Sequence, residues 1–159
     1  MEQAHAYGSA ADVPELIRDL GSADKKVREK AIYELHGNIW HQGTVYEATA
    51  YAVPFLVQLL VNGRPEIRAD ILMLLTEIAD GRSYIDVHGS SEPDKETRLA
   101  NEIRWVQAAR SAVAAETDIY RKQLGDEDEE VRVLAAFLLG TLKRDLHLLA
   151  SDILEEGSE

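Results

Sequence analysis

The chain overlays itself when shifted by about forty positions, and that self-similarity limits the fold more than any single motif. Val13-Pro14-x-Leu16-x-x-x-Leu20 returns as Val53-Pro54-x-Leu56-x-x-x-Leu60. Val27-Arg28 returns as Ile67-Arg68, Ala31 as Ile71 and Leu35 as Leu75. The run from Leu20-Gly21 through Asp24 to Val27-Arg28, followed by Ala31, returns as Leu124-Gly125 through Asp128 to Val131-Arg132, followed by Ala135. This third copy comes about two dozen residues later than the period requires, so a segment is inserted before it. Within the second copy Phe55, Leu56, Leu59 and Leu60, then Ile67, Ile71, Leu74, Leu75 and Ile78, recur at helical spacing.

Each copy reads as a helical hairpin. Asp12, with Glu15 three residues on, is placed to cap a helix over 13–20, and Gly21 ends it. Ser22 or Asp24 starts a second helix to about Ile39, with Val27, Ala31, Ile32, Leu35 and Ile39 on one face. In the second copy the break holds Gly63, suited to positive φ after a helix, and Pro65, pre-set for a first helical turn. Pro54 removes a backbone hydrogen bond inside an apolar helix and is read as setting curvature. Residues 80–92 are a loop by composition. From Pro93 a helix with one break is expected to reach Leu124 and to bulge from the stack, its apolar side formed by Leu99, Ile103, Val106, Val113, Ile119 and Leu124. Residues 128–142 repeat the second helix, and 145–154 form a separate amphipathic cap. The expectation is one domain over 12–155, with an extension over 1–11.

A VPxLxxxL first helix paired with a D-x-x-V-R-x-x-A second helix, repeated at this period, resembles the HEAT-repeat, armadillo-like family. The run His41-Gln42-Gly43-Thr44-Val45-Tyr46-Glu47-Ala48 is similar to one in small bacterial HEAT-like proteins. The resemblance covers most of the chain. It implies an all-α fold, a short right-handed α-solenoid of about three hairpins with a C-terminal capping helix. Each hairpin has one apolar face that it buries only against its neighbours.

Charge and composition narrow the partners. Hydrophobic residues are 45% of 159 and aromatics 6%, so Leu, Ile, Val and Ala build the core. There is no cysteine, which removes disulfide and thiol chemistry and suits a reducing cytoplasm. A net charge of −12 and a pI near 4.8 repel phosphate backbones, so the expected partner is a protein, a basic one in the sharper form, and not nucleic acid. Met1 to Asp12 lack the basic region and apolar run of a secretory signal. No apolar window is long enough to span a membrane.

No catalytic constellation stands out. His5, His36, His41, His88 and His147 are followed by Ala, Gly, Gln, Gly and Leu. Helical-repeat hydroxylases that resemble HEAT proteins hold iron through His-Glu pairs, and that pattern is missing. Neither metal nor cofactor is expected. Thr44 and Glu47 have the spacing of a capping box for the following helix, with Trp40, His41 and Tyr46 around them as a polar-aromatic recognition turn. Arg28, Arg68 and Arg132 share one column and are read as bridges to acidic side chains or helix carbonyls. Beside the core stripe of the second helices run four further columns. They are Glu29, Ala69 and Val133; Tyr33, Met73 and Phe137; His36, Thr76 and Gly140; Trp40, Asp80 and Arg144. In a stacked array these line the concave side. The candidate contact residues are therefore Tyr33, His36, Trp40, His41, Tyr46, Met73, Thr76 and Phe137.

The favoured reading is a non-catalytic module that binds a protein on a concave helical surface. A sharper alternative is an inhibitor, such as an immunity protein that neutralises a basic toxin or nuclease. The third is a HEAT-like enzyme or lyase subunit, since some HEAT-like proteins act on DNA bases or attach bilin pigments. A DNA enzyme needs a basic groove, and this chain is acidic.

Overall fold

Val13–Leu20 (α1) and Lys25–Asn38 (α2) form the first hairpin in the computed structural model, which describes residues 4–156 apart from Ser90 and Glu92, and for 145–156 the backbone alone. Thr49–Asn62 (α3) and Arg68–Ala79 (α4) form the second, joined through a 3-10 turn at Pro65–Ile67. Tyr84–His88 (α5), Lys95–Ala114 (α6), Thr117–Gln123 (α7) and Glu129–Glu156 (α8) complete the helices. Helix makes up about 71% of the described residues, which places the chain in the all-α class. Among the described residues, strand is confined to two antiparallel ribbons, Ala4–His5 (β1) with Gly8–Ser9 (β2) and Trp40–His41 (β3) with Thr44–Val45 (β4).

α1 packs on α2 and α3; α3 packs on α4 and α6; α4 packs on α6 and α8; α7 packs on α8. One apolar cluster runs through all of them. Leu20, Leu35, Leu56, Leu75 and Leu138 come from different helices and are fully buried in it. Each such side chain contributes roughly 1.5–3 kcal/mol by leaving water.

Several boundaries differ from the sequence expectation. Residues 80–92 are not all loop: Ser83 accepts from the Asp86 amide and starts α5. The helix over 93–124 has its one break at Ala115 and Glu116, but α6 lies against α3 and α4 where a bulge from the stack was expected. Its buried stripe is Glu102, Val106, Ala109 and Val113, while Ile103 and Leu124 are exposed. Phe55 is also exposed. The separate cap over 145–154 is absent because α8 runs unbroken from Glu129 to Glu156; the inward side chains expected there fall outside the described ones.

The extension over 1–11 is built in from residue 4 onward. The Ala6 amide donates to the Asn38 carbonyl and the Ala48 amide to the Ala4 carbonyl. Asp12 does not cap α1 with its side chain. Its carboxylate instead accepts from Asn38 Nδ2 at 2.8 Å and meets His5 Nε2 at 3.0 Å, which ties the ribbon to α2.

The arginine column makes the expected bridge between neighbouring helix pairs only at Arg68; Arg28 and Arg132 turn back onto the turns that precede their own helices. Arg28 Nη1 donates back to the Ser22 and Ala23 carbonyls, and Arg132 Nη1 does the same to Asp126 and Glu127. Arg68 instead crosses to Asp126 Oδ2 at 2.7 Å and links the α3–α4 corner to the α7–α8 corner. Asp126 is held below the ordinary carboxylate range, first by the Asp128 amide and then by Arg68 and Arg132, against the opposing effect of burial.

Candidate binding groove on α2, α4 and α8

An apolar side chain at a helix position just off the core stripe has two fates: cover by a neighbouring helix, or solvent. Tyr33 on α2, Met73 on α4 and Phe137 on α8 occupy equivalent positions, and all three face solvent, at 79%, 43% and 64% exposure. Val133, one turn before Phe137, is 60% exposed. α6, the long helix nearest in sequence to the inserted segment, packs on α3 and α4 and leaves these side chains uncovered. Tyr33, Met73 and Phe137 are each a large apolar group left to solvent at a matching position of its helix.

The polar groups beside this row join the helices to one another. The Arg144 guanidinium pairs with Asp80, so two members of one sequence column meet across α4 and α8. Trp40, Thr76, Glu77, Phe137 and Arg144 line a cavity of about 210 Å³ at the end of the row. Trp40 lies edge-on to His36, their ring centroids 6.5 Å apart. Thr76 is buried and donates to the Leu72 carbonyl, so it serves as wall and not as contact. Glu77, Asp80, Arg82 and Arg144 were not among the contact candidates; Asp80 and Arg144 stood in the fourth column, while Glu77 is a neighbour of Thr76 that only the helix geometry brings to His36.

His36 joins α2 to α4. Its Nδ1 lies 2.9 Å from the Ile32 carbonyl and its Nε2 2.9 Å from Glu77 Oε2. The approach to Glu77 suits charge pairing more than a linear hydrogen bond. Either neutral tautomer points a lone pair at one of these oxygens; only the imidazolium turns an N–H towards both. Burial alone lowers the pKa of His36, but Glu77, the Ile32 carbonyl and Asp70 outweigh it and hold it above the ordinary imidazole value. Asp70 is itself raised, by burial first, with Glu29 adding and His36 opposing.

The sign of the stability effect follows. A raised histidine stabilises the fold fully below the unfolded value of about 6.5, and the gain is lost as pH rises through the folded value. Melting temperatures measured from pH 5.5 to 8.5 are expected to fall across the upper half of that range in the wild type. In His36→Gln this component is absent, the difference being up to about 1 kcal/mol. A wild-type profile parallel to that of His36→Gln removes the pair from the account.

The polar-aromatic turn does not act as one unit. Gln42 and Gly43, with φ of 50° and 87°, are the central residues of a two-residue hairpin between β3 and β4. This replaces the expected capping box. Thr44 is buried in β4, α3 starts only at Thr49, and Thr49 Oγ1 accepts from the Tyr46 amide while donating to the Ile39 carbonyl. The hairpin turns its side chains to different places. Trp40 joins the groove, His41 lies edge-on to Tyr7 at 5.6 Å, and Tyr46 lines another cavity.

Among the described residues no three His, Asp or Glu side chains stand close enough to hold a metal ion. No described helix is long and apolar enough to cross a membrane. No family model matches the chain, and no curated protein matches it.

Proposed function

We propose that the chain is a non-catalytic protein-binding module. In this reading the hairpins form a short right-handed α-solenoid of HEAT-like units, and the face carrying Tyr33, Met73 and Phe137 is concave and receives the partner. The observation that carries the reading is the exposure of these three side chains at equivalent positions of α2, α4 and α8. Aromatic anchors beside satisfied polar groups are what binding hot spots consist of. The net charge of −12 favours a partner bringing lysine or arginine around an apolar centre; inhibition of a basic protein is the narrower form of the same idea. A cysteine-free chain suits work in the cytoplasm.

The test starts with affinity capture from the native host, followed by titration of the captured protein. Tyr33→Ala and Phe137→Ala are each expected to weaken binding at least tenfold. Neither ring is packed, so both variants should stay within about 0.5 kcal/mol of wild-type stability. Unchanged affinity in single alanine variants of Tyr33, Trp40, Met73 and Phe137 sinks the groove assignment.

A further inference from the structure

The second cavity, about 410 Å³, opens where four separate parts of the chain converge: the β1 end of the ribbon, the segment between β4 and α3, the start of α5, and α6. Its volume is in the range that takes a small ligand. The rings of Tyr46, Tyr84 and Trp105 line it, together with Glu47, Arg98 and Glu102.

The charges in its wall are unequal. Glu102, 3% exposed, accepts from Arg98 Nε and from the Ile85 amide, both at 2.9 Å. That carboxylate and that guanidinium neutralise each other. His5, also in the wall, has both nitrogens in use: Nδ1 accepts from the Tyr7 amide, so the proton sits on Nε2, facing Asp12. Glu47 is half-buried and has neither an ion-pair nor a hydrogen-bond partner for its carboxylate among the described residues. One negative charge is left over in a space walled by aromatic rings.

The rings suit a positive guest. Arg98 already holds its guanidinium 5.2 Å from the centre of the Tyr84 ring, a tethered cation on a π face. Burial raises the pKa of Tyr46, with Tyr84, Tyr7 and Glu102 adding to it, so its phenol stays protonated and offers oxygen lone pairs. An anionic guest would face Glu47 and Glu102 and find Arg98 committed.

We propose that this cavity binds a free small organic cation, an ammonium or guanidinium compound, with its charge on Glu47 and its body against Tyr46, Tyr84 and Trp105. The site is separate from the groove on α2, α4 and α8 and does not depend on it.

The chain has two tryptophans, so Trp40→Phe leaves Trp105 as the reporter. This full-length variant is titrated with phenyltrimethylammonium in 0.15 M potassium chloride, where the net charge alone gathers few cations. A saturable change in Trp105 fluorescence is expected. Glu47→Gln should weaken it at least tenfold and Tyr84→Leu at least fivefold, and benzoate should give no response. Three results overturn the proposal: a linear response, equal binding of benzoate, or unchanged affinity in Glu47→Gln. A trimethyllysine peptide that binds more tightly than free trimethyllysine places the cation on a protein and overturns the assignment to a small molecule.

Discussion

Arg98→Met is expected to lower folding stability by about 2–3 kcal/mol in urea denaturation. The arginine itself is partly exposed, but the group it leaves behind is not. Glu102 is 3% exposed, and without Arg98 its charge keeps only the Ile85 amide. An uncompensated buried charge is far more damaging than a lost surface pair, which is why the expected value exceeds the usual figure of about 1 kcal/mol or less for exposed ions. Glu102→Gln in the same background removes the charge and keeps an acceptor for Ile85, so it should recover at least half of the loss. The start of α5 hangs on this contact, and its amides should exchange faster in Arg98→Met than those of α3. A single variant within about 0.5 kcal/mol of wild type would show that water reaches Glu102 and solvates it.

Gly63→Ala should remove a further 2–3 kcal/mol or so, through a clash and not through dihedral strain. Gly63 has φ of −83°, a value open to any residue, so the sequence-based expectation of positive φ there is not met. The reason for glycine is space. A β-carbon would sit 2.3 Å from the Leu59 carbonyl oxygen and 3.1 Å from its carbon, and backbone does not give way as a flexible side chain does. The corners of the other hairpins supply graded controls. At Gly21 the nearest atom to an added β-carbon is 3.3 Å away, and at Gly125 it is 3.7 Å. The expected order of damage is Gly63, then Gly21, then Gly125, measured as urea midpoints of the three alanine variants. Equal midpoints would refute the steric account.

What the sequence made legible was whatever repeats. The hairpins, the arginine column and the row of Tyr33, Met73 and Phe137 each appear at matching positions, so one copy reinforces another. The inserted segment had no second copy to check it. Apolar periodicity therefore selected Leu99, Ile103 and Leu124 and passed over Ala109, Tyr120 and Glu102, which are buried. Ala109 is too small to weigh in such a pattern, and Glu102 is inside because Arg98 and Ile85 accompany it. The capping box failed for another reason: Gln42-Gly43 makes a hairpin whose strands are two residues long, too short to alternate visibly, and it moved the start of α3 past Glu47. The aromatic cavity has no local signal at all, since residues near positions 5, 46, 84 and 102 meet only in the fold.

The two edges of the hairpin array are joined differently. Along the edge that carries the connections between hairpins, the β3–β4 turn and the segment after α4 are stitched by main chain: the Arg82 amide donates to the Gly43 carbonyl at 2.9 Å and the Val45 amide to the Arg82 carbonyl at 3.1 Å. Along the edge that carries the corners within hairpins, the span from the second to the third is bridged by the side chains of Arg68 and Asp126. Separating the corners breaks one ion pair, whereas separating the connections breaks two main-chain hydrogen bonds, so the two edges resist opening by different chemistry.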